Sequence, residues 1–491
     1  MIASYRPRPV RVGVASTFVL ALLLGCLRNA PDVPEPQFDN DLDSGVAVSR
    51  PARVIVLIVI DTLRADHVGA YGSILELTPN LDRLANRSFV FENAIATSSW
   101  TRSSVASMLT SRYPGSIRVL QREDAIAEEY ATLPEILSRE GWETFAVLSN
   151  GNAGPTYGFD RGFVRWVWPQ VERGYPGDFR KVTAEGVTLE ALKALDEQER
   201  SASRRPFFLF VHYIDPHDPY LPQPGLLPGS EPPGRFSGSR LDLKELDRLP
   251  PNERTTDDVD RIKYLYAGEV KYCDGWVGKL VDELDRRDTA DQTMIIVTAD
   301  HGEGLWDHRR RDHGKDLYEE QIHVPLVVRY PGTSERDARR IANPVSLVDI
   351  APTILRSAGI ARPTDFEGHD LTPLTRGEAR PEALQYIYSE LDLDRKNYEA
   401  IRNGSSKLIR RRSRWEWLRH GLQVYDLAVD PKEQKNLAHR LTGPPEQGRL
   451  RAALDRWGHA IYARAGGGRR VSTSDLDVRT RDQLKALGYI Q

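Results

Sequence analysis

Cysteine is nearly absent: two occur in 491 residues. Cys26 closes an N-terminal targeting segment, so only Cys273 remains in the processed chain. No intrachain disulfide can then form, whatever the compartment. The N-terminal apolar stretch, Val12 to Gly25, is shorter than the ~20 residues a membrane-spanning helix needs. A strong charge of either sign is also missing. The formal net charge is −3, which argues against a nucleic-acid binder. No internal repeat is visible. What is present is ordinary globular composition, 40% hydrophobic and 28% charged, on a chain long enough for one large domain and a smaller one.

Two runs about 240 residues apart carry the most information. Val54–Ile60 is a β-branched run that exits into Asp61, and Met294–Ala299 exits into Asp300 and His301. Such runs without alternation read as strands buried on both faces, hence a parallel sheet between helices. In those sheets ligands bind beyond the carboxyl ends of the strands, so Asp61, Asp300 and His301 are expected to meet at one edge as metal ligands. Two further strands aim at the same edge. Pro206–Val211 leads to His212, Asp215 and His217, and Thr144–Leu148 leads to Ser149 and Asn150. The alternative for each exit taken singly is a turn, since Asp, Asn and Ser favour turns for local hydrogen-bonding reasons.

With these exits in place the chain resembles the sulfatase family, within the alkaline-phosphatase superfamily. The resemblance rests on Val59–His67, Thr78–Leu84, Ala106–Pro114, His212–Tyr220, Asp300–Glu303, Leu317–Glu320, His323–Leu326, Val348–Thr353 and Val424–Leu427, with Asp430-Pro431 and Asn436-Leu437 after them, all in the family's order. It implies an α/β fold: a doubly wound, mostly parallel sheet flanked by helices, with a smaller C-terminal α+β subdomain. It implies a metal-dependent ester hydrolase acting on sulfate esters.

The departures matter as much. Typical members carry Cys-x-Pro-x-Arg ahead of the Leu-Thr-Gly-Arg-Tyr-Pro run, and the Cys or Ser becomes formylglycine. Counting back from Leu109-Thr110-Ser111-Arg112 places Thr101 at the nucleophile position, with Ser103 and Val105 where Pro and Arg are usual. No formylglycine is expected. A divalent cation on the Thr101 oxygen would stabilise its alkoxide, as in the phosphoethanolamine transferases and phosphodiesterases of the superfamily. The alternative is that Thr101 caps a helix starting near Ser103. The set Asp61, Thr101, Asp300 and His301 favours zinc or manganese, with calcium as the alternative. His217, His313 and Lys315 would stabilise the leaving or equatorial oxygens. Asp215, His217 and His313 could instead hold a second metal. Two other functions stay open: a phosphodiesterase or phosphoethanolamine-type transferase, and a non-catalytic binding relative.

His67 reads as surface packing, His323 as a partner for a backbone carbonyl, and His308 as part of a solvated loop with Arg309, Arg310 and Arg311. The anionic ester partner would be a sulfated or phosphorylated glycan or a lipid headgroup. Leu23-Leu24-Gly25-Cys26 resembles a bacterial lipobox, and a plain signal peptide is the alternative. Lipidation at Cys26 would place the chain in a bacterial envelope as a membrane-anchored lipoprotein. The expected organisation is a signal segment 1–26, a flexible linker 27–50, a catalytic domain 51–378, a C-terminal subdomain 379–465 and a tail with a closing helix 466–491. Gly225 to Asp260 is a long polar connection placed to cover the site. Arg410 to Trp417 mixes cations with aromatics, as a glycan grip or an exposed hairpin tip.

Overall fold

The computed structural model describes residues 51–491 apart from 171, 176–179, 202, 204, 413–420, 439–444, 487, 488, 490 and 491. The targeting segment, the linker and both tryptophans of the 410–417 stretch lie outside the described residues.

A nine-stranded sheet forms the centre of the molecule. Val54–Ile60 lies in its middle, every residue buried, because the chain there offers no polar side chain to turn outward. It pairs in parallel with Thr293–Thr298 on one side and Phe207–Tyr213 on the other. Glu143–Leu148 and Arg165–Val167 continue the parallel order. Leu326–Arg329 runs antiparallel to Thr293–Thr298 and to Phe89–Ile95. His323–Val324 also pairs antiparallel with Phe89–Ile95, and Arg339–Ser346 pairs with it in parallel. Val59 pairs with Thr298. Continuing that register puts Asp61 level with Asp300 on adjacent strands.

Long helices cover the sheet, among them Ala184–Arg200 and the 31-residue Thr256–Arg286. The latter opens with a capping box in which Thr255 and Asp258 satisfy each other's backbone N–H groups. Thr101–Thr110 is a helix buried along its whole length. A second, antiparallel sheet of four strands spans Tyr386–Asp426. Helix Pro445–Arg464 packs on it, with Trp457 stacked on Tyr388 at 4.7 Å between ring centroids. The architecture is thus the doubly wound, mostly parallel α/β sheet with a small C-terminal α+β unit expected from the sequence.

The long connection after Leu221 carries its own helix, Arg240–Arg248. The closing helix runs from Val478 to Ala486, starting earlier than the Gln483–Ile490 run suggests, and Asp477 caps it by accepting from the Thr480 N–H; the end at Gly488 that this run predicts lies outside the described residues. Among the described residues no helix is long and apolar enough to cross a membrane.

Candidate active site and metal centre

The strand exits converge at one edge. Asp61, Asp300 and His301 place one ligand atom each within 4.8 Å of one another, and all three are buried. His301 Nδ1 faces the carbonyl of Gly302 at 2.8 Å. A carbonyl only accepts, so Nδ1 carries the proton and the Nε2 lone pair faces inward. That lone pair lies 3.7 Å from Asp61 Oδ1 and 3.6 Å from Asp300 Oδ2, and neither oxygen has a hydrogen-bond partner. Apart from the Thr101 hydroxyl near Nε2, these acceptors face one point with no donor, and they repel each other unless a proton or a cation lies among them. The donor set of two carboxylates and one imidazole fits a divalent ion.

The local chain conformation fixes these groups. Ser104 Oγ donates to the Asp300 carbonyl at 2.6 Å, tying the strand exit to the buried helix. Asp300 Oδ1 accepts from its neighbour His301 N at 2.9 Å and from Thr62 N at 3.4 Å. Gly302 must be glycine, since a Cβ there would lie 2.1 Å from the Glu320 carbonyl oxygen.

Thr101 is the first residue of its helix and Trp100 precedes it as the cap residue. The helix therefore starts two residues before Ser103, and the Thr101 hydroxyl is free of a capping role. Its Oγ1 lies 3.2 Å from His301 Nε2 and 3.4 Å from Asn150 Nδ2. The same Asn150 amide donates to Asp61 Oδ2 at 2.6 Å. A hydroxyl at a helix N-terminus, among metal-type ligands, sits where developing negative charge is favoured.

Burial, and then the charge of Asp300, push the Asp61 pKa well up. Burial works against the charged form of Asp300 too, but His301 and His212 outweigh it and hold that carboxyl below the usual range. Burial lowers His301.

A second group adjoins the first. The His313 ring lies 4.5 Å from that of His301 and 4.8 Å from that of His217. Glu303 Oε1 stands 3.4 Å from His313 Nδ1, while Tyr220 donates to Glu303 Oε2 at 3.1 Å. Burial, then the charge of Asp312, lift Glu303 to about 8. Burial pulls His217 down to about 4. Glu303, Asp312 and His313 form a second cluster of metal-type ligands.

The model described as Sulfatase matches residues 53–360, and one described as N-sulphoglucosamine sulphohydrolase, C-terminal, matches 303–456. The chain belongs to the sulfatase family. It is similar to the choline-sulfatase of Rhizobium meliloti, 26% identical over 82% of this chain and 85% of the relative. An N-acetylglucosamine-6-O-sulfatase of Bacteroides thetaiotaomicron is 25% identical with the same coverage. A solved structure described as a complex with its substrate D-glucosamine-2-N,6-O-disulfate superposes with TM-score 0.67 at 20% identity, covering 84% of this chain and 98% of that one. The phosphonate monoester hydrolase of Agrobacterium radiobacter gives 0.65 at 22%, covering 84% and 96%. The family assignment makes the chain a sulfuric ester hydrolase.

Within this sulfatase several sequence expectations need correction. Asp215 does not turn to the metal edge. It pairs with Lys181 at 3.0 Å and accepts from the Ala184 N–H at 2.6 Å. Lys181 also binds Glu269 at 2.6 Å and the His217 carbonyl at 2.8 Å, so this buried cation sets the position of the His217 loop. Lys315 donates to the Arg311 carbonyl at 2.6 Å and pairs with Asp312 at 3.1 Å. No hydrogen bond or ion pair among the described residues joins it to Thr101, Asp61, Asp300 or His301, so it reaches the centre only through the Asp312–His313 turn.

The Arg309–Arg311 run is not uniformly solvated. Arg311 is buried on Asp218 at 3.0 Å and Asp247 at 2.9 Å, which ties the Arg240–Arg248 helix to the edge of the site. His308 sits stacked on Tyr318, its Nδ1 donating to Glu320 at 2.7 Å and its Nε2 to the Glu433 carbonyl at 3.1 Å. His67 packs edge-on against Tyr266, and His323 faces the Glu92 carbonyl at 2.8 Å.

The sequence reading left out or left without a role Asn150, His212, Glu303, Asp312 and Tyr489. His212 lies buried with Nε2 3.8 Å from Asp300 Oδ2. Its place at a strand end was the available signal. Tyr489 has its hydroxyl 3.0 Å from His313 Nε2 and 3.5 Å from His217 Nε2, and nothing local in the sequence announces that.

Proposed function

We propose that the chain hydrolyses sulfate esters with Thr101 as nucleophile, beside a single divalent cation held by Asp61, Asp300 and His301 together with the Thr101 oxygen. The observation that carries this reading is the 3.2 Å approach of the Thr101 hydroxyl to the inward lone pair of His301. Zinc or manganese suits two carboxylates and an imidazole better than calcium, which takes six to eight oxygens. When bound, the cation lowers the proton affinity of the hydroxyl it touches.

The chain's own groups then have distinct tasks. The helix N-terminus holds Thr101 and favours charge at its oxygen. Asn150 bridges Thr101 and Asp61 and fixes their separation. His313 approaches the leaving or equatorial oxygens of the ester, with Lys315 holding the turn that carries it, and His217, whose Nδ1 donates to the Asp218 carbonyl, offers its Nε2 beside them as a proton acceptor. No formylglycine enters this scheme, because neither Cys nor Ser stands at the nucleophile position.

The named relatives point to sulfated sugars or choline sulfate as substrates. A phosphoryl-ester reaction is the second reading, favoured by a threonine where sulfatases usually have cysteine. Metal-reconstituted enzyme assayed on aryl sulfate, phosphomonoester and phosphodiester separates the two. Highest kcat/KM on sulfate supports the first reading. A purified enzyme that is fully active after chelation and holds no metal overturns both. Two ions per chain would make Glu303, Asp312 and His313 the second set and favour phosphodiester chemistry.

A further inference from the structure

Arg102 follows Thr101 on the buried helix, and successive residues of a helix point about 100° apart. Thr101 faces the metal edge, so Arg102 points aside into the protein, where it is 1% exposed. Among the described residues no carboxylate forms an ion pair with its guanidinium. Instead Nε donates to the Asn152 carbonyl at 3.1 Å, and Nη2 to the Asn152 side-chain oxygen at 3.3 Å. Nη1 reaches the carbonyl of Arg122 and, at 3.4 Å, that of Asp124. The Tyr157 ring lies against it, its centroid 3.3 Å from the guanidinium carbon. Burial pulls the Arg102 pKa down to about 10, which leaves the group charged at neutral pH.

These contacts close a ring of groups beside the site. The Asn152 N–H donates to Asn150 Oδ1 at 2.8 Å, the bond by which Asn150 caps the turn Gly151–Ala153. An N–H only donates, so Oδ1 is the atom turned to it and Nδ2 is left for the centre. There Nδ2 meets Asp61 Oδ2 at 2.6 Å and Thr101 Oγ1 at 3.4 Å. With Oδ2 of Asp61 taken by the amide, Oδ1 is the oxygen that faces His301. The contacts run from Thr101 through Asn150 and Asn152 to Arg102, and back along one peptide bond. A fork that grips both oxygens of Asn152 fixes the turn in place and in rotation, which a point charge cannot do.

We propose that Arg102 is a positioning residue: by clamping Asn152 it holds the Asn150 amide on Thr101 and Asp61, and so sets both the rate of turnover and the affinity for the cation. The inference rests on the reading of Thr101 and the cation given above.

A double-mutant cycle on the full chain tests it. Arg102→Lys keeps a charge near Tyr157 and loses the fork. On the fastest of the three esters named above it should lower kcat about tenfold with KM within about twofold. It should weaken zinc binding, read by competition with a chromophoric chelator, about three- to tenfold. In the Asn150→Ala background, which already lacks the amide, the same substitution should change either quantity by less than about twofold. Asn152→Ala removes one acceptor of the fork and should move both readouts the same way by a smaller factor. It takes the place of Arg102→Lys in the cycle if that variant does not fold. Equal losses in both backgrounds overturn the proposal. So does a variant that loses melting temperature alone, or loses nothing. If the wild type binds zinc but turns over no ester, the catalytic reading fails, and the zinc cycle alone decides the role of Arg102. A wild type that binds no zinc overturns both.

Discussion

Asp300→Asn should change the sign of its effect on stability when metal is added. In the metal-free protein Asp300 Oδ2 faces the Asp61 carboxylate and the His301 lone pair with no donor. The ligand atoms lie within 4.8 Å, where two full charges at an effective dielectric near 20 repel by about 3–4 kcal/mol. The raised pKa of Asp61 eases part of that repulsion, so relief of about 1–2 kcal/mol is expected. The asparagine oxygen keeps the bonds from His301 N and Thr62 N, and its amide replaces a repelling oxygen with a donor.

With metal the balance reverses. An ion at a hundredfold its Kd adds about 2.7 kcal/mol to the wild type, and the variant, short of one charged ligand, loses most of it. Calorimetry of chelated and zinc-loaded protein should show Asp300→Asn melting a few degrees above wild type without metal and below it with metal. A variant less stable than wild type in both states, with the same deficit, would refute the claim that this cluster is built for a cation.

Thr101→Ala should abolish turnover, with losses of about 10⁴-fold or more as for other nucleophiles, while metal content and melting temperature stay close to wild type, and Thr101→Ser should keep part of the activity. Intact mass over the Thr101 peptide should be that of plain threonine. His308 is held charged: burial opposes its charge, but Glu320 outweighs burial and lifts its pKa to about 9. A raised pKa contributes stability that is full below the unfolded value of about 6.5 and lost as pH rises through about 9. Wild type should therefore lose stability across that window, and His308→Gln should show a flatter urea-midpoint profile there. Cys26→Ser should shift the expressed protein out of the membrane fraction or leave uncleaved precursor. Wild type found entirely soluble would show the lipobox match to be coincidental.

The centre was legible where chemistry follows from local pattern. Uninterrupted β-branched runs gave buried strands, and their exits gave Asp61, Asp300 and His301. Counting along a motif gave Thr101. Lys315 is drawn to its neighbours Arg311 and Asp312, but the other misreadings turn on the fold. Asp215 shares a strand exit with His217, but a buried Lys181, visible only in three dimensions, draws it away. His308 looked solvated beside its arginines, yet its partners are Glu320 and the carbonyl of Glu433, 125 residues later. Tyr489 lies 176 residues from His313, so no periodicity or spacing could have joined them.

The level register of Asp61 and Asp300 has a consequence for the ion. Asp61 follows its strand directly and Asp300 follows its own one residue later, yet the register sets them level on adjacent parallel strands, and such strands stand ≈ 4.7–4.9 Å apart in any sheet. The sheet thus acts as a fixed ruler between the two carboxylates. Loop mutations can retune His301 or the helix that presents Thr101, but the gap between the acids changes only if a strand slips register. A slip of one residue would turn every side chain of that strand to the opposite face. Ionic radius is therefore gauged by backbone geometry, and a variant selected for a much larger cation should recruit new oxygen ligands from loops, leaving the spacing of this pair as it is.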